Sequence, residues 1–283
     1  MMKRKNIYIL ALMPFLALIL MYEIVPLFTI IIESFQPDKG TGFTLENYHT
    51  VFTKLLYQKA IENSFFISLI SSFFGILIGF LGTWSAEHIG KGFRRLYMTI
   101  LNMVSNFAGV PLAFAYMILL GNAGLMAQVG REFGIEAMTN FDLYTKNGMT
   151  LIYVYFQVPL ASLLIAPAFA GIKKEWKEAS LILGGGAWSF WTKIGIPIIT
   201  PTLIGTFSVL YCNALAAYAT AYALMMNGLS LLPIQVAGSY VGDVQMRKGL
   251  GGALSVVMMI MMVAVILLNN RLSKNFQKGR VKA

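Results

Sequence analysis

The chain has 283 residues, is 57% hydrophobic and only 12% charged, about half the charge of a soluble globular domain. With a mean hydropathy of +0.69, this excludes a soluble enzyme or binding module and indicates an integral membrane protein. The net charge of +10 would suit nucleic acid, but the basic residues flank apolar runs in the positive-inside manner, so no nucleic-acid partner is expected.

Cys212 is the one cysteine, so neither a disulfide framework nor a Cys-rich metal site is expected. Lys3, Arg4 and Lys5 followed by an apolar run resemble a secretion signal. The run Ile7–Ile32 is too long for that and has no small-x-small cleavage site, so it reads as an uncleaved first helix.

Six apolar segments reach the roughly 20 residues that a span requires: Ile7–Ile32, Asn63–Trp84, Leu96–Leu120, Thr150–Ile172, Thr202–Met226 and Gly251–Leu268. Pro14 and Pro26 are expected to kink the first. Gly75 and Gly79 stand at GxxxG spacing in the second, with Gly82 a turn later, a pattern for close helix packing. Between spans, Pro37-Asp38-Lys39-Gly40 marks a turn, Met126–Phe133 a short helix, and Asn227–Gly249 a partly apolar loop that dips back toward the membrane. With no internal repeat, residues 1–283 read as one all-α membrane domain.

Lys and Arg counts set the orientation. With both termini inside, Lys3, Arg4, Lys5, Lys91, Arg94, Arg95, Lys173, Lys174, Lys177, Lys193 and the tail from Arg271 to Lys282 are cytoplasmic. The outer side keeps Lys39, Lys54, Lys59, Arg131, Lys146, Arg247 and Lys248. The excess inside predicts cytoplasmic N- and C-termini.

In that topology Lys173–Pro201 is cytoplasmic. A lipid-facing helix would not carry Lys173, Lys174, Glu175, Lys177 and Glu178 so close together. Trp176, Ala179, Ser180 and Leu183 repeat at i, i+3, i+4, i+7, one stripe of a short amphipathic helix. Gly184, Gly185 and Gly186 stop it. This is a helix outside the bilayer, shaped to be held by another protein.

No GxxxxGK[ST] nucleotide loop is present, His49 and His88 fall on opposite sides, and no Ser/His/Asp set assembles on one side. Transport would therefore draw on an ion gradient or a separate ATPase.

The segment resembles the EAA loop of binding-protein-dependent ABC importer permeases. Glu178-Ala179-Ser180 is followed by three residues and Gly184, then nine residues and Ile194-Gly195-Ile196-Pro197. Ser180 replaces the second Ala of the pattern and Ile196 its Leu. Tyr155-Phe156-Gln157-Val158-Pro159-Leu160 and Asn213-Ala214-Leu215-Ala216-Ala217-Tyr218-Ala219 look most like the spermidine/putrescine-type branch, which also holds ferric-iron and aminoethylphosphonate importers.

The resemblance implies the six-helix ABC importer permease (MetI-like) fold with a cytoplasmic coupling helix in an inner membrane. It implies a non-catalytic subunit that binds no cofactor, with ATP and Mg on a partner ATPase dimer. It further implies a second permease subunit, a different chain, and an external substrate-binding protein. Glu178, Ala179, Ser180, Gly184, Ile194 and Pro197 would then make the coupling site.

Glu23, Asn106, Gln157, Asn213 and Tyr218 are candidates for the translocation path, as are Ser105, Thr220 and Tyr222. Interhelical hydrogen bonds are the alternative use for the polar residues. Glu23 lies roughly 24 Å along the helix from Ile7, near the outer interface, either wet or touching substrate. A self-sufficient secondary transporter or channel is the competing function. It would show inverted repeats and intramembrane charges, and Glu23 alone offers itself.

Overall fold

The computed structural model describes residues 12–226, 228–241 and 246–281, without the side chains of 275–281. Lys3, Arg4, Lys5, Ile7, Asn227, Asp243 and Lys282 lie outside the described residues, as do the side chains of Lys278 and Arg280. All regular structure described is helical. A backbone in hydrocarbon must satisfy its amides and carbonyls within itself, and the helix does so.

In chain order the helices are α1 (Leu12–Ser34), α2 (Glu46–Thr53), α3 (Leu55–Ile89), α4 (Lys91–Ser105), α5 (Val110–Leu120), α6 (Leu125–Phe133), α7 (Glu136–Thr139), α8 (Lys146–Ala170) and α9 (Lys174–Ile182). Then follow α10 (Ala187–Ala216), α11 (Ala219–Met225), α12 (Leu232–Tyr240) and α13 (Lys248–Val281). Six stretches among the described residues are long and apolar enough to cross a membrane: Leu12–Ser34, Leu55–Ile89, Val110–Phe133, Lys146–Ala170, Ala187–Ala216 and Lys248–Lys274.

The fifth and third differ from expectation. Thr202–Met226 is not one helix: α10 ends at Ala216 and α11 starts at Ala219. Leu96–Leu120 is not one helix; it is divided at Asn106–Gly109 into α4 and α5. Gly109 takes φ 73°, a left-handed value that only glycine adopts freely. Pro111 follows in the first turn of α5, where its missing N–H costs nothing. The short helix expected at Met126–Phe133 is α6.

Pro26, expected to kink its helix, and Pro197 of the coupling segment share one solution. Pro26 follows a π-helical turn at Leu20–Ile24, closed by the Val25 amide on the Leu20 carbonyl. Pro197 follows another at Trp191–Gly195, closed by the Ile196 amide on the Trp191 carbonyl. The widened turn makes room for the ring that would otherwise meet the carbonyl one turn back, so α1 and α10 run on as helices.

The chain divides into two compact units, Met1–Gln58 with Gln235–Met259, and Lys59–Ile234 with Ile260–Ala283. The first is tied by short polar side chains. Asn47 Nδ2 donates to the carbonyls of Ser34 (3.1 Å) and Gln36 (2.7 Å). Asp38, in the expected turn, accepts from the first amides of α13, Gly249 (2.9 Å) and Leu250 (3.3 Å), and pairs with Arg247 at 3.1 Å. A carboxylate at a helix start satisfies amides that have no partner within the helix.

The second unit packs α3, α8 and α10 closely. The glycines of the expected packing face meet real neighbours: a Cβ at Gly75 would stand 2.7 Å from Cβ of Gln157, and one at Gly79 would stand 2.8 Å from Cβ of Ala161. In lipid, where burial of apolar surface gives no driving force between helices, such close approach supplies dispersion contact and hydrogen bonds instead. The apolar loop residues Leu231, Leu232 and Ile234 are buried, held by Leu232 N–H on Ser64 Oγ (2.8 Å) and Asn63 Nδ2 on the Ser230 carbonyl (3.1 Å).

Candidate functional site

Helix α9 starts after Lys173, in extended conformation, and ends on a complete glycine cap. Gly184 takes φ +77°; its amide reaches the Leu181 carbonyl at 3.0 Å, and the Gly185 amide reaches the Ser180 carbonyl at 2.8 Å. This pair of bonds is the Schellman motif. Two glycines are needed for different reasons. Gly184 supplies the left-handed conformation, whereas at Gly185 a Cβ would lie 2.9 Å from the Ser180 carbonyl oxygen and 2.7 Å from its hydroxyl.

The stripe Trp176, Ala179, Ser180 and Leu183 forms one wall of a groove of about 530 Å³. Ser189, Lys193, Ile194 and Ile198 of α10 form the other, and Gly185 joins them. Of the six residues expected at the coupling site, the groove brings together Ala179, Ser180 and Ile194. Gly184 makes the cap. Pro197 is half-buried beyond the π-helical turn.

Glu178 stands apart. Two residues from Ser180 on a helix it faces away, and it is exposed while Ser180 is buried. None of the ion pairs among the described residues includes it. Ile182, one turn on from Glu178, is 86% exposed, and two further apolar side chains lack cover in this chain: Leu183 at the groove, 87% exposed, and Trp188 after the cap, 83% exposed. Exposed apolar patches of this kind mark surfaces that meet a protein partner or a membrane.

The candidate path residues separate into two roles. Gln157 is fully buried and ties three helices: its Nε2 donates to the Leu210 carbonyl (2.6 Å) and lies 3.5 Å from Ser72 Oγ, and its Oε1 accepts from Asn213 Nδ2 (3.3 Å). The interhelical use expected as the alternative is therefore met at Gln157.

Asn213 and Tyr218 line a cavity of about 260 Å³, together with Ala108, Gly109, Phe156, Ala216, Ala217, Ala219 and Thr220. Tyr218 stacks on Tyr222 with ring centroids 5.3 Å apart. Asn106 is not among the lining residues; it donates to the Asn102 carbonyl at 2.7 Å. Glu23 belongs to the first unit, exposed in the π-helical turn of α1.

This cavity lies where two helices are broken. The gap between α4 and α5 meets the gap between α10 and α11. Thr220 Oγ1 accepts from the Gly109 amide (3.0 Å) and bonds its carbonyl (3.2 Å), while Tyr153 Oη donates to the Ala217 carbonyl at 2.9 Å. Interrupted backbone at membrane depth is tolerated where protein groups re-satisfy it or it lines a cavity, and both hold here. Gly109 and Tyr153 escaped the sequence reading. The Gly-x-Pro run at Gly109–Pro111 is the signal for the break; no local signal marks Tyr153.

No family model matches the chain. It is 25% identical over 277 residues to the alpha-glucoside transport system permease protein AglF of Rhizobium meliloti, covering 91% of this chain and 80% of that protein. It is 22% identical over 192 residues to a probable sulfate transport system permease protein, cysT, of Chlorella vulgaris, covering 64% and 67%. A solved bacterial ABC transporter involved in import of the acidic polysaccharide alginate superposes with TM-score 0.77 at 18% identity, over 96% of each chain. Matching nearly end to end with six apolar helices, the chain has the MetI-like fold of ABC transporter permeases.

Proposed function

We propose that this chain is the permease subunit of an ATP-driven ABC importer, a multi-pass protein of the inner membrane that catalyses no reaction itself. One observation carries the reading: a short amphipathic helix, closed by a Schellman cap, presents Glu178 and Ile182 bare to solvent next to a groove, with Leu183 of the cap and Trp188 of α10 also bare. A partner ATPase dimer, which binds ATP and Mg, holds this helix. Its closure moves the spans, and a second permease of different sequence completes the path. An external binding protein delivers substrate on the side opposite α9, with both termini of this chain cytoplasmic.

Asn213 and Tyr218 line the path at the broken helices, Gln157 holds the wall behind them, and Asn106 contributes at its margin; Glu23, in the first unit, is a separate candidate for substrate contact. The substrate is a small solute, polyamine-like, or ferric iron or a phosphonate. Support for that class comes from the Tyr155–Leu160 and Asn213–Ala219 motifs, whereas the named relatives serve sulfate, alpha-glucosides and alginate. Ligand identification on the cognate binding protein decides among these.

The coupling role is tested by purification in mild detergent. The ATPase is expected to come with the wild-type chain, and uptake in proteoliposomes to require ATP. Uptake that persists without any ATPase would instead indicate a self-sufficient transporter.

A further inference from the structure

An aromatic cluster joins the coupling segment to two spans, and nothing in the EAA pattern accounts for it. Trp191 opens the π-helical turn of α10. Its ring centroid lies 5.8 Å from His88 and 6.2 Å from Trp84, both of α3, and 6.1 Å from Phe169 at the end of α8. Trp84 and His88 are themselves 4.8 Å apart, and the His88 ring is held by a 2.7 Å hydrogen bond between Nδ1 and the Trp84 carbonyl. Phe80, one turn before Trp84, packs on Phe169 at 5.4 Å.

The chain makes room for this ring. A Cβ at Gly195 would stand 2.5 Å from Cε3 of Trp191, so Gly195, the variable position of the pattern, is the one residue type that leaves the indole where it is. The π-helical turn spans these two residues. The turn that admits the ring of Pro197 thus also carries the indole and the glycine that seats it.

We propose that Trp191, seated by Gly195, is the positioning residue that passes movement of the coupling segment into α3 and α8; this rests on the permease reading above. A displacement of α9 reaches α10 at its first turns. There the indole is wedged against α3 and α8, and packed rings shift together rather than compress. Phe169 is twelve residues from Gln157, roughly 18 Å along one helix, and Gln157 bonds Asn213 at the cavity. Coupling over such distances is carried by chains of packed side chains and hydrogen bonds, and the rings supply a first link of that kind.

The test reads the cavity and not uptake, so it needs no knowledge of the substrate. Cys212 is replaced by Ser and Ala216, which lines the cavity, by Cys. In the complex with its ATPase, reaction with a water-soluble maleimide is timed without nucleotide and with ATP plus vanadate. The Trp191 protein is expected to change its labelling rate about tenfold with ATP, a coupling of ordinary size. Trp191→Leu and Gly195→Ala are expected to retain the ATPase yet lose the ATP response, and Trp191→Phe to regain most of it.

An undiminished response in Trp191→Leu and Gly195→Ala overturns the proposal. So does loss of the ATPase itself from both variants without rescue by Trp191→Phe, which would make the cluster a structural support. If the parent with intact Trp191 shows no ATP response, the permease reading fails instead.

Discussion

Every residue lining the coupling groove comes from the stretch between Trp176 and Ile198, whereas the cavity at the broken helices joins Gly109 to Thr220, 111 residues apart in the chain. The groove is exposed and held by local bonds: a glycine cap, a π-helical turn, one helix against the next. The cavity is held by side chains that reach across the bundle to carbonyls a break has freed. A locally closed segment keeps its shape while it is gripped and moved. A wall made of distant parts changes shape when any of its helices moves. Under the proposed function the two regions serve opposite ends of one transport cycle, the first held and the second opening.

Substitutions sharpen this contrast. The largest effect is expected from Gly184→Val. A β-branched residue at positive φ costs roughly 1–2 kcal/mol or more, which the exposed cap has no packing to offset. Capture of the ATPase is expected to be lost while the thermal melt of the detergent-solubilised chain stays near wild type; a retained ATPase would show that the cap is dispensable.

Glu178→Lys comes next, with insertion intact and ATP-dependent uptake down about tenfold, in the range of an interfacial charge contact. Wild-type uptake would remove Glu178 from the docking surface.

Gln157→Leu should do the reverse. It strips a partner from the Leu210 carbonyl and from Asn213 and lowers stability by about 1–3 kcal/mol, seen as an earlier melt, yet leaves ATPase capture unchanged. Loss of capture in that variant would mean that the two regions are not separable. Smallest is Thr220→Val, which keeps the shape and removes the clamp on Gly109. A cost of about 0.5–1.5 kcal/mol is expected, with faster maleimide labelling of a cysteine placed at Ala216 as the readout of a loosened wall.

The residues legible in the sequence are those whose partners are near in the chain. The stripe from Trp176 to Leu183, its glycine stop and the following Ile194 are one helix, one cap and one turn, and periodicity alone describes them. Gly75 and Gly79 were legible as a packing face, but not what they pack on. Leu96–Leu120 shows the limit: its hydropathy continues through Asn106–Gly109, and the break follows from Gly109 and Pro111, backbone features to which an apolar count is blind. At Gln157 the side chain admitted two uses, and only the fold supplies its hydrogen-bond partners, on α3 and α10.

The sequence by itself determined that the chain is helical, that it enters the membrane, and that one charged amphipathic helix between Lys173 and Pro201 stands outside the apolar spans. Those follow from hydropathy, charge and short-range periodicity, which every residue carries with it. Tertiary structure alone decided that two helix gaps meet around a cavity, that Glu178 faces away from the groove its neighbours line, and that Gly195 holds open the place of an indole. Each of these depends on which atoms come within a few ångströms of one another after the chain has folded: residues far apart in sequence settle the first, and the packing of neighbouring turns settles the other two.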